Sequence, residues 1–143
     1  MDRKVVIIPT YNEKENIEAI IRKVFSLDGD FNVLIIDDGS PDGTATIVKG
    51  LQAEFSDRLF MIERSGKLGL GTAYLTGFKW ALEQDYDYIF EMDADFSHNP
   101  EDLPRLYKAC AECGGVAIGS RYCDGISVVN WPIGRILMSY FAS

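Results

Sequence analysis

Apolar residues along this chain form short continuous runs that alternate with longer stretches of helical spacing. The runs are typical of strands buried on both faces of a parallel sheet, and they cover residues 4–8, 33–36, 59–62, 87–92 and 116–118. Pro9 follows the first run and is expected to end that strand, because proline cannot donate to a strand ladder. Five strands are therefore predicted.

Between the predicted strands, apolar residues recur every three or four positions, which is the pattern of a helix packed on a sheet. Asn12 or Asn16 is expected to cap the first helix, and Asp42 or Thr44 the second. Repeated strand–helix–strand units predict an α/β fold, a Rossmann-like, doubly wound and mainly parallel sheet with helices on both faces. The four apolar stripes are Ile17, Ile20, Ile21, Val24 and Phe25; Ile47, Val48, Leu51 and Phe55; Ala73, Tyr74, Phe78, Ala81 and Leu82; and Leu103, Leu106, Tyr107 and Cys110.

Polar clusters follow four of the predicted strands, at residues 9–13, 37–40, 93–97 and 119–122. In open parallel sheets, ligands bind outside the carboxyl ends of the strands. We therefore expect these four loops to line one functional edge of the sheet.

Asp93 and Asp95 follow the fourth predicted strand with one residue between them. Side chains two positions apart in a strand point the same way, so both carboxylates can address one small volume. Two like charges at that separation favour a cation between them, and hard oxygen ligands favour Mg²⁺ or Mn²⁺. An isolated Asp-x-Asp is more often a solvated turn, so the surrounding motifs decide its meaning.

Composition and charge narrow the classes of function. The chain has 143 residues, 47% of them hydrophobic and 25% charged, which suits one domain with one apolar core. The formal net charge of -8 argues against nucleic acid as a partner, because such proteins neutralise phosphates with clustered Lys and Arg. No apolar segment is long enough to span a bilayer, and no secretory signal is recognisable. With its three cysteines interpreted as reduced thiols, the sequence predicts a cytoplasmic location.

Four weaker features have competing interpretations. Cys110 and Cys113 have a C-x-x-C spacing without a second Cys or His pair, which favours structural thiols over zinc. Residues 67–71 are rich in glycine but lack the Gly-Lys-Ser/Thr ending of a phosphate loop, although Lys67 is a candidate phosphate contact. His98 is interpreted as a loop or cap residue rather than a catalytic base. Asp37 is equally compatible with a turn role and a ligand role.

Taken in order, the motifs resemble the family 2 glycosyltransferases, most closely the dolichyl or polyprenyl phosphate mannosyltransferases. Each motif alone is moderately specific, but the ordered set covers nearly the whole chain. The motifs are Pro9-Thr10-Tyr11-Asn12-Glu13, Asp37-Asp38-Gly39-Ser40, Lys67-Leu68-Gly69-Leu70-Gly71-Thr72-Ala73, Asp93-Ala94-Asp95, Gly119-Ser120-Arg121-Tyr122 and Asn130-Trp131-Pro132.

The resemblance implies a GT-A fold and an inverting, metal-dependent transfer of a sugar, most readily mannose from GDP-mannose, to a polyprenyl or dolichyl phosphate. It implies Asp95 as the direct ligand of Mg²⁺ or Mn²⁺, with Ser97 as a weaker second ligand where some relatives carry glutamine. Asp95 and Arg121 are the residues it assigns to catalysis, and Ile36 would contribute backbone contacts. The implied nucleotide-sugar site consists of Pro9, Tyr11, Glu13, Ile36, Asp38, Asp93, Ala94, Asp95 and Arg121.

The chemistry of such a transfer agrees with these residue types. Departure of the nucleotide builds negative charge on the diphosphate, which a divalent cation stabilises. A phosphate acceptor has its second pKa near about 6, so it is largely anionic at neutral pH and needs no general base. Arg121 offers a planar fork of donors suited to holding two phosphate groups together.

The chain is expected to divide into a nucleotide-sugar-binding core, residues 1–125, and the start of an acceptor or membrane-interface segment, residues 126–143. Apolar residues in the second part suit a short helix lying on a membrane surface, and they equally suit a core helix that has lost its partner. Because the family resembled continues further, we expect a truncated chain that associates peripherally with the cytoplasmic face of the membrane.

Two alternatives stay open at this point. One is a related family 2 transferase that uses UDP-glucose or another nucleotide sugar. The other is a non-enzymatic phosphoacceptor receiver, which also pairs a small doubly wound sheet with an acidic Mg²⁺ pocket. Receivers carry their acid pair after strand one and a lysine after strand five, where this chain has Pro9-Thr10-Tyr11 and Gly119-Ser120-Arg121.

Overall fold

The structure, a computed structural model, describes residues 3–27, 29–66, 70–92, 94, 100–105, 107–108, 115–120, 126–130 and 136–141. Strands and helices alternate through β4, as predicted. The strands are β1 (Lys4–Thr10), β2 (Asn32–Asp37), β3 (Leu59–Glu63), β4 (Tyr88–Glu91), β5 (Gly115–Ser120), β6 (Ile126–Asn130) and β7 (Ile136–Phe141). The helices are α1 (Ile17–Ser26), α2 (Thr44–Glu54), α3 (Leu70–Glu83) and a 3-10 turn at Pro100–Asp102, after which residues 103–105 and 107–108 are helical.

All seven described strands belong to one sheet, in the order β3-β2-β1-β4-β7-β5-β6. The pairings are parallel except that β6 runs antiparallel to β5. The central position of β1, with later strands added on both sides, is the arrangement of a doubly wound sheet. The predicted α/β fold is therefore confirmed.

Alternate residues of the strands pack into two apolar clusters on opposite faces of the sheet, as the period of two requires. Helices α1 and α2 cover one face of the part of the sheet formed by β1 to β4, and α3 covers the other face. The first cluster includes Val6, Ile8, Val33, Ile35, Phe90, Ile17, Ile20, Ile21, Val24, Val48 and Leu51. The second includes Val5, Ile7, Leu34, Ile36, Ile89, Ala73, Ala81 and Tyr86.

Strand β1 continues through Pro9 to Thr10, so the prediction that Pro9 ends the strand is wrong. Pro9 pairs in register with Ile36 of β2, whereas the ladder between β1 and β4 ends at Ile7. The carbonyl of Ile7 accepts from the Met92 amide at 3.1 Å, so odd-numbered backbone groups of β1 face β4. The nitrogen of Pro9, which carries no hydrogen, therefore faces the β4 side beyond the end of that ladder. No hydrogen bond between β1 and β4 is lost there.

The last part of the chain forms strands, and the short helix expected there is wrong. Ile136–Phe141 is β7, which pairs in parallel with both β4 and β5. A short apolar run is ambiguous between helix and strand, and here insertion into the sheet decides the outcome. Within the described residues no helix combines the length and the apolar character needed to cross a membrane.

Candidate functional site

The carboxyl ends of β1, β2 and β3 meet at one edge of the sheet, where Thr10, Asp37 and Glu63 lie side by side in register. The contact continues one residue beyond the ladder on each side. The Asp38 amide donates to the Thr10 carbonyl at 3.1 Å, and the Arg64 amide donates to the Asp37 carbonyl at 2.7 Å. The edge predicted for ligand binding is therefore a continuous, hydrogen-bonded surface over these three strands.

Asp37 is a buried carboxylate, only 2% exposed, and it accepts hydrogen bonds from the end of β1 and from its own turn. Its Oδ1 accepts from the hydroxyls of Thr10 at 2.8 Å and Ser40 at 2.7 Å, and its Oδ2 accepts from the Ser40 amide at 3.1 Å. These bonds tie the end of β1 to the turn after β2. Of the two roles left open for Asp37, the geometry favours the turn role.

Asp38 forms a two-pronged ion pair with Arg64, the first residue after β3. Arg64 Nε donates to Asp38 Oδ1 at 2.6 Å, and Arg64 Nη2 donates to Oδ2 at 2.7 Å. Both side chains are less than 10% exposed. The hydrogen bonds to Asp38 raise the pKa of the Arg64 guanidinium. Arg64 Nη1 also donates to Thr72 Oγ1 in the first turns of α3 at 3.1 Å.

The loop after β1 carries Tyr11 and Glu13 beside this pair of aspartates. Tyr11 is 39% exposed, which is high for a large aromatic residue, and Glu13 is half-buried. Asn12 between them has a φ of 57°, in the left-handed region that residues other than glycine seldom adopt. The loop therefore has a definite and uncommon backbone conformation at the predicted nucleoside position.

Three other predicted residues, Pro9, Ile36 and Ala94, lie at the same edge, but their side chains are half-buried or buried. Pro9 is half-buried within β1, and Ile36 is fully buried on the α3 side of β2. Because its side chain is buried, a contact of Ile36 with a ligand would have to come from its backbone, and this contact stays a prediction. Ala94 is 3% exposed and packs in the cluster beneath α1 and α2, close to Met92.

Four predicted site residues lie outside the described residues: Asp93, Asp95, Ser97 and Arg121. The same is true of Lys67, His98, Cys110 and Cys113. The part of the chain that the structure does describe contains no group of three acidic, His or Cys side chains that could hold a metal ion. The metal site and the phosphate contact of Arg121 therefore stay predictions.

Arg64 and Thr72 are site residues that sequence reasoning missed. Arg64 directly follows a strand end, as the other clusters do, but the end of β3 was interpreted only as the start of a glycine-punctuated loop. A rule that treats every strand end alike would have found Arg64. Its pairing with Asp38, 26 residues earlier, is a tertiary contact that no local pattern encodes.

Several curated relatives match almost the whole chain, and all are named as enzymes that act on a polyprenyl-type phosphate. The polyprenol monophosphomannose synthase of Mycolicibacterium smegmatis is 46% identical over 99% of this chain and 53% of its own length. The undecaprenyl-phosphate mannosyltransferase of Micrococcus luteus is 43% identical over 99% of this chain and 57% of its own. The dolichol-phosphate mannosyltransferase of Pyrococcus furiosus is 40% identical over 94% of this chain and 37% of its own. The chain thus spans about half the length of the first two relatives.

Solved structures give the same fold. The mannosyltransferase PcManGT from Pyrobaculum calidifontis, in complex with GDP-Man and Mn²⁺, superposes with a TM-score of 0.72 at 27% identity, covering 82% of this chain and 35% of that one. TarS of S. aureus in complex with UDP superposes at 0.66 with 22% identity, over 82% of this chain and 35% of TarS, which supports the fold alone. The sequence model described as glycosyl transferase family 2 matches residues 5–142, nearly the entire chain. On this match, the chain belongs to glycosyl transferase family 2.

Proposed function

We propose that this chain is the donor-binding part of a metal-dependent, inverting glycosyltransferase that moves mannose from GDP-mannose to a polyprenyl or dolichyl phosphate. The observation that carries the proposal is the strand edge itself, where the amide of the buried Asp38 donates to the carbonyl of Thr10, the residue before the exposed Tyr11. The names of the relatives and the GDP-Man and Mn²⁺ bound to PcManGT support the choice of donor and metal.

The described half of the site suits a nucleoside. Tyr11 offers an aromatic face, and the carboxylates of Glu13 and Asp38 can accept from ribose hydroxyls or from base N–H groups. In Asp38, two acceptor positions go to Arg64, and a carboxylate has about four. Acceptor capacity is therefore left for a ligand.

The phosphate half of the site is proposed from sequence. Asp93 and Ala94 would lie against the ribose and diphosphate, Asp95 would bind Mg²⁺ or Mn²⁺, and Ser97 would be a weaker ligand. When bound, the metal would stabilise the charge that develops on the departing diphosphate. Arg121 would hold the phosphate groups, so that an already anionic acceptor needs no general base.

The acceptor implies a membrane surface as the place of reaction. A polyprenyl phosphate keeps its chain in the bilayer and presents its headgroup at the interface, so the enzyme must act there. We therefore propose peripheral association with the cytoplasmic face of the membrane.

A second donor class is a specific alternative, because family 2 folds also accept uridine nucleotides, as the UDP complex of TarS illustrates. UDP-glucose is the related donor to compare. The receiver alternative has no support from the comparisons, since the chain belongs to a glycosyltransferase family.

The proposal is tested by the melting temperature of the chain with GDP, UDP or acetyl phosphate, each with and without Mn²⁺ or Mg²⁺. We expect GDP with Mn²⁺ to raise the melting temperature most, because a ligand that binds only the folded state stabilises it by mass action. A larger rise in the melting temperature with UDP would indicate a uridine nucleotide sugar as the donor instead. No rise with either nucleotide, together with aspartyl labelling by acetyl phosphate, would refute the transferase assignment.

A further inference from the structure

Three consecutive backbone amides in the loop after β1 donate to side-chain oxygens of the segment that joins β2 to α2. We call this set of three hydrogen bonds the amide clasp. Its bonds run from the Asn12 amide to Ser40 Oγ at 2.9 Å, from the Glu13 amide to Thr44 Oγ1 at 3.1 Å, and from the Lys14 amide to Asp42 Oδ2 at 3.2 Å.

The two hydroxyls of the clasp are themselves held by carboxylates. Ser40 Oγ donates to Asp37 Oδ1 at 2.7 Å, and Thr44 Oγ1 donates to Asp42 Oδ1 at 2.5 Å. Because each hydroxyl has a single proton, a hydroxyl that donates to a carboxylate presents its lone pairs to the amide. The carboxylates therefore fix the direction of the hydrogen bonds that the hydroxyls accept.

The clasp ties the loop in one backbone conformation. Asn12 has a φ of 57°, in the left-handed region, which asparagine adopts more readily than most residues other than glycine. Tyr11 and Glu13 flank this position, so their directions depend on it. Losing the hydrogen bond to the Asn12 amide would let the loop populate ordinary conformations in which these two side chains point elsewhere.

We propose that Ser40 and Thr44 are positioning residues for nucleotide binding, which hold Tyr11 and Glu13 in their binding directions through the amide clasp. Asp37 and Asp42 orient the two hydroxyls. The inference rests on the proposed function, since Tyr11 and Glu13 are nucleoside contacts only if the edge binds a nucleotide. Preorganisation raises affinity because a loop that is already ordered loses little conformational entropy on binding.

Ser40 gives the sharper test, because it lies in a half-buried turn and its loss should affect folding little. GDP binding in excess Mn²⁺ is measured by titration calorimetry for the unaltered chain, Ser40→Ala and Ser40→Thr. Loss of one well-oriented hydrogen bond predicts binding about five- to tenfold weaker in Ser40→Ala. Ser40→Thr keeps the hydroxyl and should restore affinity to within about twofold.

Ser26→Ala is the matched control, because its hydroxyl also makes one local bond, to the Lys23 carbonyl at 2.6 Å, but far along the chain from the clasp. We expect its GDP affinity to equal that of the unaltered chain. Thr44→Val and Thr44→Ser repeat the comparison at the second hydroxyl.

Amide hydrogen exchange of the unliganded chain separates the inference from the proposed function. The Asn12 amide should exchange faster in Ser40→Ala than in Ser40→Thr, whether or not a nucleotide binds. No GDP binding by the unaltered chain would overturn the proposed function and this inference with it. Equal GDP binding by the unaltered chain and Ser40→Ala would overturn the inference alone, and so would an unchanged exchange rate at Asn12.

Discussion

Asp38 is a buried carboxylate whose charge is balanced inside the protein by the guanidinium of Arg64. Both side chains are less than 10% exposed, and the two hydrogen bonds of 2.6 and 2.7 Å leave the fork of Arg64 well aligned. Such a pair is costly to break, because the remaining charge stays buried without a partner. The pair also joins the end of β2 to α3 through Thr72, so it fixes the distance between two elements of the site.

Replacing Arg64 by Met is expected to lower the free energy of unfolding by about 2–3 kcal/mol at pH 7, because Asp38 is left charged and unpaired. Urea unfolding measures this difference. Lys49→Met is the matched control, since Lys49 pairs with Glu63 at 3.3 Å where both side chains are about half exposed. That control should leave the urea midpoint nearly unchanged. Equal changes in the free energy of unfolding for the two substitutions would show that burial of the Asp38–Arg64 pair does not contribute to stability.

Asp42 makes the chain sensitive to acid at the amide clasp. The hydrogen bond from the Thr44 hydroxyl, followed by bonds from the Lys14 and Thr44 amides, lowers the pKa of Asp42 below its ordinary value of 3.8. A carboxyl whose pKa is lower in the folded state stabilises the fold above pH 3.8 and loses that contribution as pH falls toward the folded pKa.

Asp42→Asn should therefore melt at a lower temperature than the unaltered chain near neutral pH. This gap, the difference between the two melting temperatures, should narrow as the pH falls from about 5 to 3. Melting curves over this pH range measure the gap. A gap that is constant down to the lowest pH would mean that the charge of Asp42 is not what stabilises the clasp.

At the scale of elements, the position of the site depends on how closely α3 packs on the central strand. Gly77 of α3 faces Ile7 of β1, and a Cβ at residue 77 would lie 2.7 Å from Ile7 Cγ2 and 3.0 Å from Ile7 Cδ1. The helix therefore approaches the sheet at a distance that only glycine permits. Since Thr72 on this helix contacts Arg64, a shift of α3 away from β1 would also move this partner of Arg64.

Gly77→Ala is expected to destabilise the fold by about 1–3 kcal/mol through overpacking, although alanine is the better helix former. Gly50→Ala is the matched control in α2, where an added Cβ meets nothing within 4 Å. The control should stabilise the fold by up to about 1 kcal/mol. Denaturant unfolding of both variants gives the comparison, and stabilisation by Gly77→Ala would contradict the close packing of α3 on β1.

Hydrophobic spacing predicted the strands and helices from β1 to β4 because each of these elements buries a regular apolar set. It failed for β6, which pairs with the strand directly before it, and for β7, whose pairing is non-local. β7 lies between β4 and β5, and no periodicity within Ile136–Phe141 states which strands it will join. It also misplaced the end of β1, because whether Pro9 is tolerated depends on where the neighbouring ladder ends.

At the scale of the whole molecule, the sheet topology brings residues of separate sequence motifs together at one edge of the sheet. The sequence could place Tyr11, Glu13 and Asp38 at one edge, because parallel strands that alternate with helices end on the same side. It could not supply the pairing of Arg64 with Asp38 or the amide clasp, which arise from the register of β1, β2 and β3 and from contacts between their loops. Candidate ligands are thus visible in the sequence, whereas the groups that hold them in place need the fold.

The central claim is that this edge binds a nucleotide through a metal held by Asp95. Titration calorimetry of GDP into the chain, with and without Mn²⁺, tests it most directly when repeated on Asp95→Ala. Asp57→Ala, which removes an exposed carboxylate from the turn before β3, is the matched control. We predict Mn²⁺-dependent GDP binding by the unaltered chain and the control, and its loss in Asp95→Ala with an unchanged melting temperature. Undiminished Mn²⁺-dependent binding by folded Asp95→Ala would contradict the account.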